Sequence, residues 1–468
     1  MTFNCLGERN GEFMKEKEEV HLKKGLGLIS TTAIVTGNVM GSGIFLLVAS
    51  LSQECSPGSA MIGWIISGLG AIFMGLSFAN LGAKIPKTGG PYEYVKQAFG
   101  DFVGFTNAWL FWNSYWIAII ASLVSATAYV AAFIPFLNEN RLAAFLFTSA
   151  VLWIFTYINI KGIEEAAVFQ TILTTAVIIL SIVFVFVTAP KFDIKNITPL
   201  FSEKKGLGSV SVAVSITLWA FSGFEAAAVS AGEVKNAKRN VKLATILGIG
   251  ISIILYLTLS FSTMGAIDSK DLAKVDGNYV EILAPYFGNK FAYIVIITEL
   301  ISIFGTAFAT ILTTARMSYA AAKDNMFPKI FQGVNHKYQT PSSSLIIAAV
   351  LGNILLAMNY TKSLSQLFTF MILLSNLSCL PIYACTSLSD IKLWRKENKK
   401  YTKFQLIKYS IIPILGFIYA LWAIYGSGLE SIIYCLVLMG AGVPLYFYQK
   451  RKNISVIDNK DIYIDLLE

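Results

Sequence analysis

Apolar stretches long enough to cross a lipid bilayer recur along the whole chain of 468 residues. A hydrocarbon layer about 30 Å thick needs roughly 20 consecutive apolar residues in a helix. Only 14% of the residues are charged, whereas soluble domains carry about 25%. The sequence therefore predicts an all-α membrane protein with twelve transmembrane helices, at about 26–51, 57–83, 98–134, 141–160, 164–189, 208–232, 241–267, 284–320, 340–360, 364–389, 408–427 and 429–448. The third and eighth stretches are long, so we expect them to tilt or to extend into the cytoplasm.

The distribution of charge predicts how the chain is oriented. With the amino terminus inside, cytoplasmic segments hold 28 of the 37 Lys and Arg residues, as the positive-inside rule requires. We expect a transmembrane domain at 26–448, cytoplasmic tails at 1–25 and 449–468, and a multi-pass location in the plasma (inner) membrane. The net charge of +9 is thus explained by topology rather than by nucleic acid, which is not an expected partner. The basic loops also suit membrane lipid, and a homodimer is left open.

The residues that carry most enzyme chemistry are sparse. The five cysteines show no CxxC or Cys/His spacing, and the two histidines, His21 and His336, both lie in predicted cytoplasmic segments. The cysteines are interpreted as packing residues. No metal site, cofactor site or His-based catalytic group is predicted, so the chain is not expected to be an enzyme.

Two predicted spans contain weak helix formers near their middle. The first reads T36-G-N-V-M-G-S-G-I-F-L-L47, where glycine costs about 1 kcal/mol relative to alanine. The sixth reads L218-W-A-F-S-G-F-E-A226, with the small pair Ser222-Gly223 near its middle. Broken helices at matching positions of two halves are typical of inverted-repeat transporters. The pattern predicts repeats at about 26–189 and 208–389, with two extra helices at about 408–448.

A broken helix gives the backbone a chemical use. The half-helix that starts after the break offers free N–H groups, which suit a carboxylate. The half-helix that ends before it offers free C=O groups, which suit an ammonium. Two adjacent breaks can therefore hold both charges of a zwitterion. The alternative is simple helix packing, since Gly37 and Gly41 form a GxxxG pair.

Several side chains near these breaks are candidates for gating or coupling. Glu225 and Glu299 are carboxylates deep in predicted spans. Placing a carboxylate in the bilayer costs free energy, so each of the two is a candidate functional residue. The alternative for Glu225 is a neutral acid bonded to the neighbouring backbone. Trp219 and Phe221 flank the sixth-span break and could close over a substrate. Arg316 is expected to face the inner vestibule or to snorkel to the cytoplasm.

Four motifs resemble the amino acid–polyamine–organocation transporters, and especially their basic amino acid and polyamine antiporters. They are G37-N-V-M-G-S-G-I-F45, G89-G-P-Y-E-Y94, T217-L-W-A-F-S-G-F-E225 and V234-K-N-A-K-R-N-V241, with a further family-like stretch at S318-Y-A-A-A-K-D-N-M-F-P328. The resemblance covers roughly 26–448. It implies alternating access around a central site with the carboxylate at Ser42 and Gly43, and the ammonium near the Val39 carbonyl.

The predicted site residues follow from the breaks and from this resemblance. The substrate-binding set is Val39, Gly41, Ser42, Gly43, Ile44, Trp219, Ser222, Gly223, Ser114, Tyr115 and Thr310. The gating or coupling set is Asn38, Phe111, Trp219, Phe221, Glu225 and Glu299. Asn38 would steady the first break, and Glu225 would couple transport to a proton or to conformation.

The third and eighth spans depart from the arginine exchangers that the chain resembles. Ile119, Phe111 and Thr310 stand where those exchangers carry an asparagine, a tyrosine and a tryptophan. The residues that contact a guanidinium in those exchangers are therefore not present here. A different pocket is expected, formed by Thr310, Ser114, Tyr115 and Ser122. Val177 stands where some proton-coupled relatives have a lysine.

The sequence thus predicts a secondary amino acid transporter, most simply an antiporter of an amino acid against an amine or another amino acid. A proton-coupled amino acid symporter on the same fold is the alternative. A sensor that binds amino acids without moving them is a remote one, and it would ordinarily carry a large soluble domain or a long tail. The substrate, the stoichiometry and the oligomeric state are left open.

Overall fold

The computed structural model describes residues 22, 24–40, 44–198, 200–201, 207–272, 279–359, 364–398, 400–426 and 429–465. Helices make up nearly all regular structure in these ranges. Extended pairing in the described residues is limited to two isolated bridges, Leu26 with Val234 and Asn335 with Thr340. The predicted all-α class is therefore confirmed, whereas the count of twelve spans and the inverted repeat stay predictions.

Eighteen α-helices follow one another along the described chain. The first nine are α1 (Leu28–Val39), α2 (Ile44–Glu54), α3 (Pro57–Lys84), α4 (Pro91–Phe99), α5 (Asp101–Ala131), α6 (Phe136–Glu139), α7 (Arg141–Lys161), α8 (Ile163–Thr188) and α9 (Val210–Leu218). The second nine are α10 (Ala226–Val229), α11 (Ala237–Ala266), α12 (Ser269–Leu272), α13 (Tyr279–Phe287), α14 (Asn289–Lys323), α15 (Ser342–Asn359), α16 (Leu364–Glu397), α17 (Lys403–Gly426) and α18 (Leu429–Asp465).

Seven helices in the described chain are long and apolar enough to span a bilayer, and this makes the protein an integral membrane protein. Helix α5 is the innermost of them, because 78% of its most apolar window is buried. It packs against α14 and α16, and it also contacts α4, α7 and α18. Only 28% of the corresponding windows is buried in the α8 segment and in α17, which lie on the outside.

Two long apolar stretches each contain one long helix, and their tilt stays a prediction. The stretch predicted at about 98–134 holds the 31-residue helix α5, which begins after Gly100, where α4 has ended at Phe99. Likewise, α13 and α14 are separated by Gly288 within the stretch 284–320. Both glycines have positive φ angles, 89° and 82°, which stop a right-handed helix.

Both predicted interruptions coincide with the end of a described helix. Helix α1 ends at Val39 and α2 begins at Ile44. Helix α9 ends at Leu218, and a 3₁₀ turn over Trp219–Phe221 then leads into a turn before α10 begins at Ala226. Gly223 within that turn has φ of 105°.

A buried ion pair joins α14 to the segment that follows α10. The Nε of Arg316 lies 3.0 Å from a carboxylate oxygen of Glu233, and the two side chains are 0% and 1% exposed. The Leu26 amide, just before α1, donates to the Glu233 carbonyl at 3.1 Å, and the Leu26 carbonyl accepts from the Lys235 amide at 2.8 Å. The expectation that Arg316 snorkels to the cytoplasm is wrong, since a fully buried guanidinium needs a paired carboxylate instead.

Candidate functional site

A cavity lies between the two helix interruptions and is closed on its other sides by α5, α11, α14 and α16. It contains about 600 Å³ of atom-free space, part of which is open to solvent. Its described walls carry no charged side chain and many hydroxyl groups. They are formed by Asn38, Val39, Leu47, Ser114, Tyr115, Ala118, Ser122, Ala220, Ser222, Gly223, Tyr256, Thr306, Thr310, Ser375 and Cys379.

The two interruptions touch each other at this cavity. A β-carbon placed on Gly223 would lie 2.8 Å from Cβ of Asn38 and 2.9 Å from its carbonyl oxygen. Glycine at this position therefore lets the two backbones approach closely. Asn38 is held in place because its Nδ2 donates to the Ile34 carbonyl at 2.9 Å and its Oδ1 accepts from Thr310 at 3.2 Å.

Hydroxyl groups from α14 cap the carbonyl end of α1. Thr306 donates to the Gly37 carbonyl at 2.7 Å and to that of Met40 at 3.0 Å, and Ser302 donates to Met40 at 2.6 Å. The last carbonyls of a helix have no partner within the helix, so a buried end must find donors elsewhere. Here the donors are side chains of a neighbouring helix.

One hydroxyl from α11 joins both interrupted helices. Tyr256 Oη lies 2.7 Å from the Val39 carbonyl oxygen and 3.0 Å from that of Ala220. Its ring stacks on Trp64 at 4.7 Å between centroids and meets Phe221 edge-on at 5.3 Å. The aromatic contacts hold the hydroxyl at the point where α1 and the α9 segment come closest.

Glu225 is fully buried beside the cavity and joins three helices. Its Oε1 accepts hydrogen bonds from Tyr115 on α5 and from Tyr383 on α16, the latter at 2.9 Å. Its Oε2 has no hydrogen-bond partner among the described residues. A buried carboxyl with one unpartnered oxygen can exchange a proton when water reaches it, which fits the predicted coupling role.

The other predicted residues fall into three groups. Asn38, Val39, Ser114, Tyr115, Ser122, Ser222, Gly223 and Thr310 all line the cavity. Gly41, Ser42 and Gly43 lie outside the described residues, as do the side chains of Ile44 and Trp219. Phe111, Phe221 and Glu299 are buried, but they are not among the residues that line the cavity.

Helix α5 presents a different face to the cavity than the resemblance implied. The Phe111 ring stacks on the Tyr115 ring, with 4.2 Å between their centroids. The lining residues of this helix are Ser114, Tyr115, Ala118 and Ser122, whereas Ile119 is buried elsewhere. Tyr115, rather than Phe111, is thus the aromatic residue of α5 at the site.

Several polar residues at the site were absent from the predicted set. Tyr256 and Thr306 cap the broken helices, Tyr383 binds Glu225, and Ser375 and Cys379 form part of the wall. Ser114 Oγ lies 2.8 Å from the Ser375 carbonyl and from Cys379 Sγ. These residues stand in apolar helices without a local motif, so only their tertiary contacts distinguish them.

A smaller cavity lies on the opposite side of α1, and α8 and α14 complete its walls. Val177 lines it together with Gly37, Met40, Gln170 and Ser302. Thr174 on α8 donates to the Ala33 carbonyl at 3.0 Å, so α8 is tied to α1 by a neutral hydrogen bond. The described residues contain no cluster of three or more Cys, His, Asp or Glu side chains that could hold a metal ion.

An integral membrane bundle with a central cavity at two facing helix interruptions has the architecture of a secondary transporter. The chain belongs to the amino acid permease family, within the amino acid–polyamine–organocation superfamily, since the family model "Amino acid permease" matches residues 26–444.

Its relatives cover nearly the full chain. An arginine/agmatine antiporter of Chlamydia trachomatis serovar L2 is 31% identical over 435 residues, which is 90% of this chain and 89% of the relative. An arginine/agmatine antiporter of Chlamydia pneumoniae is 30% identical over 452 residues, covering 92% and 91%. A putative amino-acid transporter of Clostridium perfringens is 28% identical over 447 residues, covering 92% of each.

Proposed function

We propose that this protein is an antiporter that exchanges an amino acid for its decarboxylated amine or for another amino acid. The observation that supports this most directly is the cavity where the α1 and α9 interruptions meet. Carbonyl groups at the ends of both helices face it, and they suit the ammonium that amino acids and their amines share. The names of the two chlamydial relatives favour exchange over net uptake.

The carboxylate of an amino acid would bind at the start of α2, where backbone N–H groups have no partner within the helix. An amine lacks this group and would rely on the carbonyl side alone. This arrangement supports the assignment of Ser42 and Gly43 to the carboxylate and of Val39 and Ser222 to the ammonium. Alternating access would then expose the same cavity to each side of the membrane in turn.

The substrate side chain would meet a wall of small, uncharged groups. Ser122, Thr310, Ser375 and Cys379 supply hydroxyl and thiol groups, and Ala118 leaves room between them. A guanidinium is best held by a carboxylate or an aromatic face. The described walls carry no carboxylate, and their aromatic residues are Tyr115 and Tyr256. The absence of a carboxylate in these walls supports a substrate smaller or less basic than arginine, and a guanidinium would have to rely on the tyrosine rings.

Counterflow in proteoliposomes tests this proposal. Vesicles are loaded with each of the L-amino acids or with a decarboxylated amine such as agmatine, and uptake of the labelled amino acid is followed. An antiporter gives uptake only when a substrate is trapped inside. Uptake into empty vesicles driven by an acidic exterior would contradict antiport and support the proton-coupled symporter.

The site is tested in the same assay with two variants of one helix segment. Ser222→Phe places a bulky ring in the cavity, and we expect it to lower exchange at least about tenfold, equivalent to about 1.4 kcal/mol. Val212→Phe adds the same ring at an exposed apolar position of α9 and should leave exchange unchanged. Equal exchange by both variants would place the substrate elsewhere.

The alternative of proton coupling is favoured by Glu225, whose unpartnered oxygen lies in a buried position. A pH-sensitive dye trapped in the vesicles reports whether protons accompany the substrate. If they do, Glu225→Gln should abolish the proton signal, because the amide cannot carry the proton. Antiport without protons leaves the dye signal flat in both proteins.

A further inference from the structure

The carbonyl groups assigned to the substrate ammonium already have a donor. Val39 is the last residue of α1, and Ala220 lies in the 3₁₀ turn after α9. Both carbonyl oxygens lie within hydrogen-bond distance of one hydroxyl, that of Tyr256. All three residues line the same cavity.

A phenol has a single proton to offer two acceptors. The two carbonyl oxygens must therefore share it, and they lie at 2.7 Å (Val39) and 3.0 Å (Ala220) from the hydroxyl. An ammonium carries three donors and a positive charge, so it can serve both carbonyls at once and more strongly. An ammonium at this position would take over the bonds that the hydroxyl makes to Val39 and Ala220.

The carbonyls of Val39 and Ala220 need a hydrogen-bond donor both with and without bound substrate. Buried carbonyls without a donor lose the free energy of a hydrogen bond, and they sit at the negative ends of helix dipoles. A donor that bonds the carbonyls again when the substrate leaves would keep the interrupted helices joined throughout the cycle.

We propose that the Tyr256 hydroxyl is a placeholder for the substrate ammonium, bridging the α1 and α9 carbonyl ends in the empty transporter and yielding them when substrate binds. This inference rests on the proposed function, because it takes the Val39 carbonyl as part of the substrate site. The Tyr256 ring also contacts Phe221, at 5.3 Å between centroids, so the hydroxyl lies next to the second interruption.

Variants at position 256 that weaken or strengthen the hydrogen-bond donor test the placeholder, because they should change substrate affinity in opposite directions. Tyr256→Phe removes the hydroxyl and keeps the ring that stacks on Trp64. Replacement by 3-fluorotyrosine strengthens the donor and keeps the hydroxyl, so it preserves the fold even if the phenylalanine variant does not. Binding of each L-amino acid and of agmatine is measured by titration calorimetry at about pH 6, where the phenols stay protonated.

If the hydroxyl competes with the ammonium, affinity should rise in the order 3-fluorotyrosine, tyrosine, phenylalanine. We expect the phenylalanine variant to bind about fivefold more tightly than the wild type, equivalent to about 1 kcal/mol. Tyr94→Phe is the control, because that buried hydroxyl has no hydrogen-bond partner among the described residues and lies on α4. Its affinity should match the wild type.

The reverse order, or equal affinities, would overturn the placeholder, because the hydroxyl would then contact the substrate or stay bonded to the carbonyls. That result leaves the proposed function intact as long as the wild type binds an amino acid or amine. If the wild type binds none of the compounds, the proposed function itself fails, and the placeholder with it.

Discussion

The contact between the two helix interruptions can be tested with a single methyl group. In Gly223→Ala, the new β-carbon would lie 2.8–2.9 Å from atoms of Asn38, whereas ordinary contacts begin at 3.4 Å. The two backbones would have to separate by about half an ångström, and such overpacking costs about 1–3 kcal/mol. The φ of 105° adds about 1–2 kcal/mol for a residue with a β-carbon.

The sum of about 2–5 kcal/mol predicts that exchange by Gly223→Ala falls at least about 30-fold. The assay is counterflow with the amino acid that the wild type exchanges fastest, normalised to protein that elutes as a single species in size-exclusion chromatography. Gly250→Ala is the matched control, because nothing lies within 4 Å of its β-carbon. Wild-type exchange by Gly223→Ala would show that the close approach at Asn38 does not shape the site.

Two further variants test the contacts that hold α14 in place. Glu233→Gln leaves Arg316 buried without its carboxylate, and we expect a loss of about 3–5 kcal/mol in unfolding free energy, measured by thermal denaturation in detergent. The double variant Glu233→Gln/Arg316→Met should recover most of that unfolding free energy. If it does not, the loss in Glu233→Gln comes from packing rather than from the unpaired charge. Thr306→Val keeps the shape of the side chain but removes the donor to Gly37 and Met40. It should cost about 1–3 kcal/mol in the same measurement, while an unchanged melting temperature would mean that water replaces the hydroxyl.

The positions of the helix interruptions could be predicted because their cause is local. Glycines and small polar residues in the middle of an apolar span weaken the helix wherever the rest of the chain lies. The same holds for Glu225, since a carboxylate in a predicted span is unusual in any fold. Composition and spacing were therefore enough to predict the all-α membrane class and the points where α1 and α9 end, whereas the substrate site between them stays a prediction.

The partners of those groups could not be predicted, because they come from distant parts of the chain. Tyr383 is 158 positions from Glu225, and Tyr256 is 217 positions from Val39. A tyrosine in an apolar helix has the same local appearance whether it packs against lipid or bonds a carbonyl. Arg316 shows the same limit, since snorkelling is the default for an arginine near a helix end until a buried carboxylate is found beside it.

The way the broken end of α1 is satisfied bears on how transport is driven. In transporters with discontinuous helices, carbonyls freed at a break commonly coordinate sodium. Here the Met40 carbonyl accepts from Ser302 at 2.6 Å, and the single Thr306 proton is shared between the carbonyls of Gly37 and Met40, at 2.7 and 3.0 Å. The hydroxyls of Ser302 and Thr306 thus satisfy the carbonyl end of α1, as a bound cation would otherwise do. Both hydroxyls belong to α14. Our proposal of antiport therefore expects that no ion is needed to order this end of α1, and that the substrate is the ligand that biases the two states of the carrier.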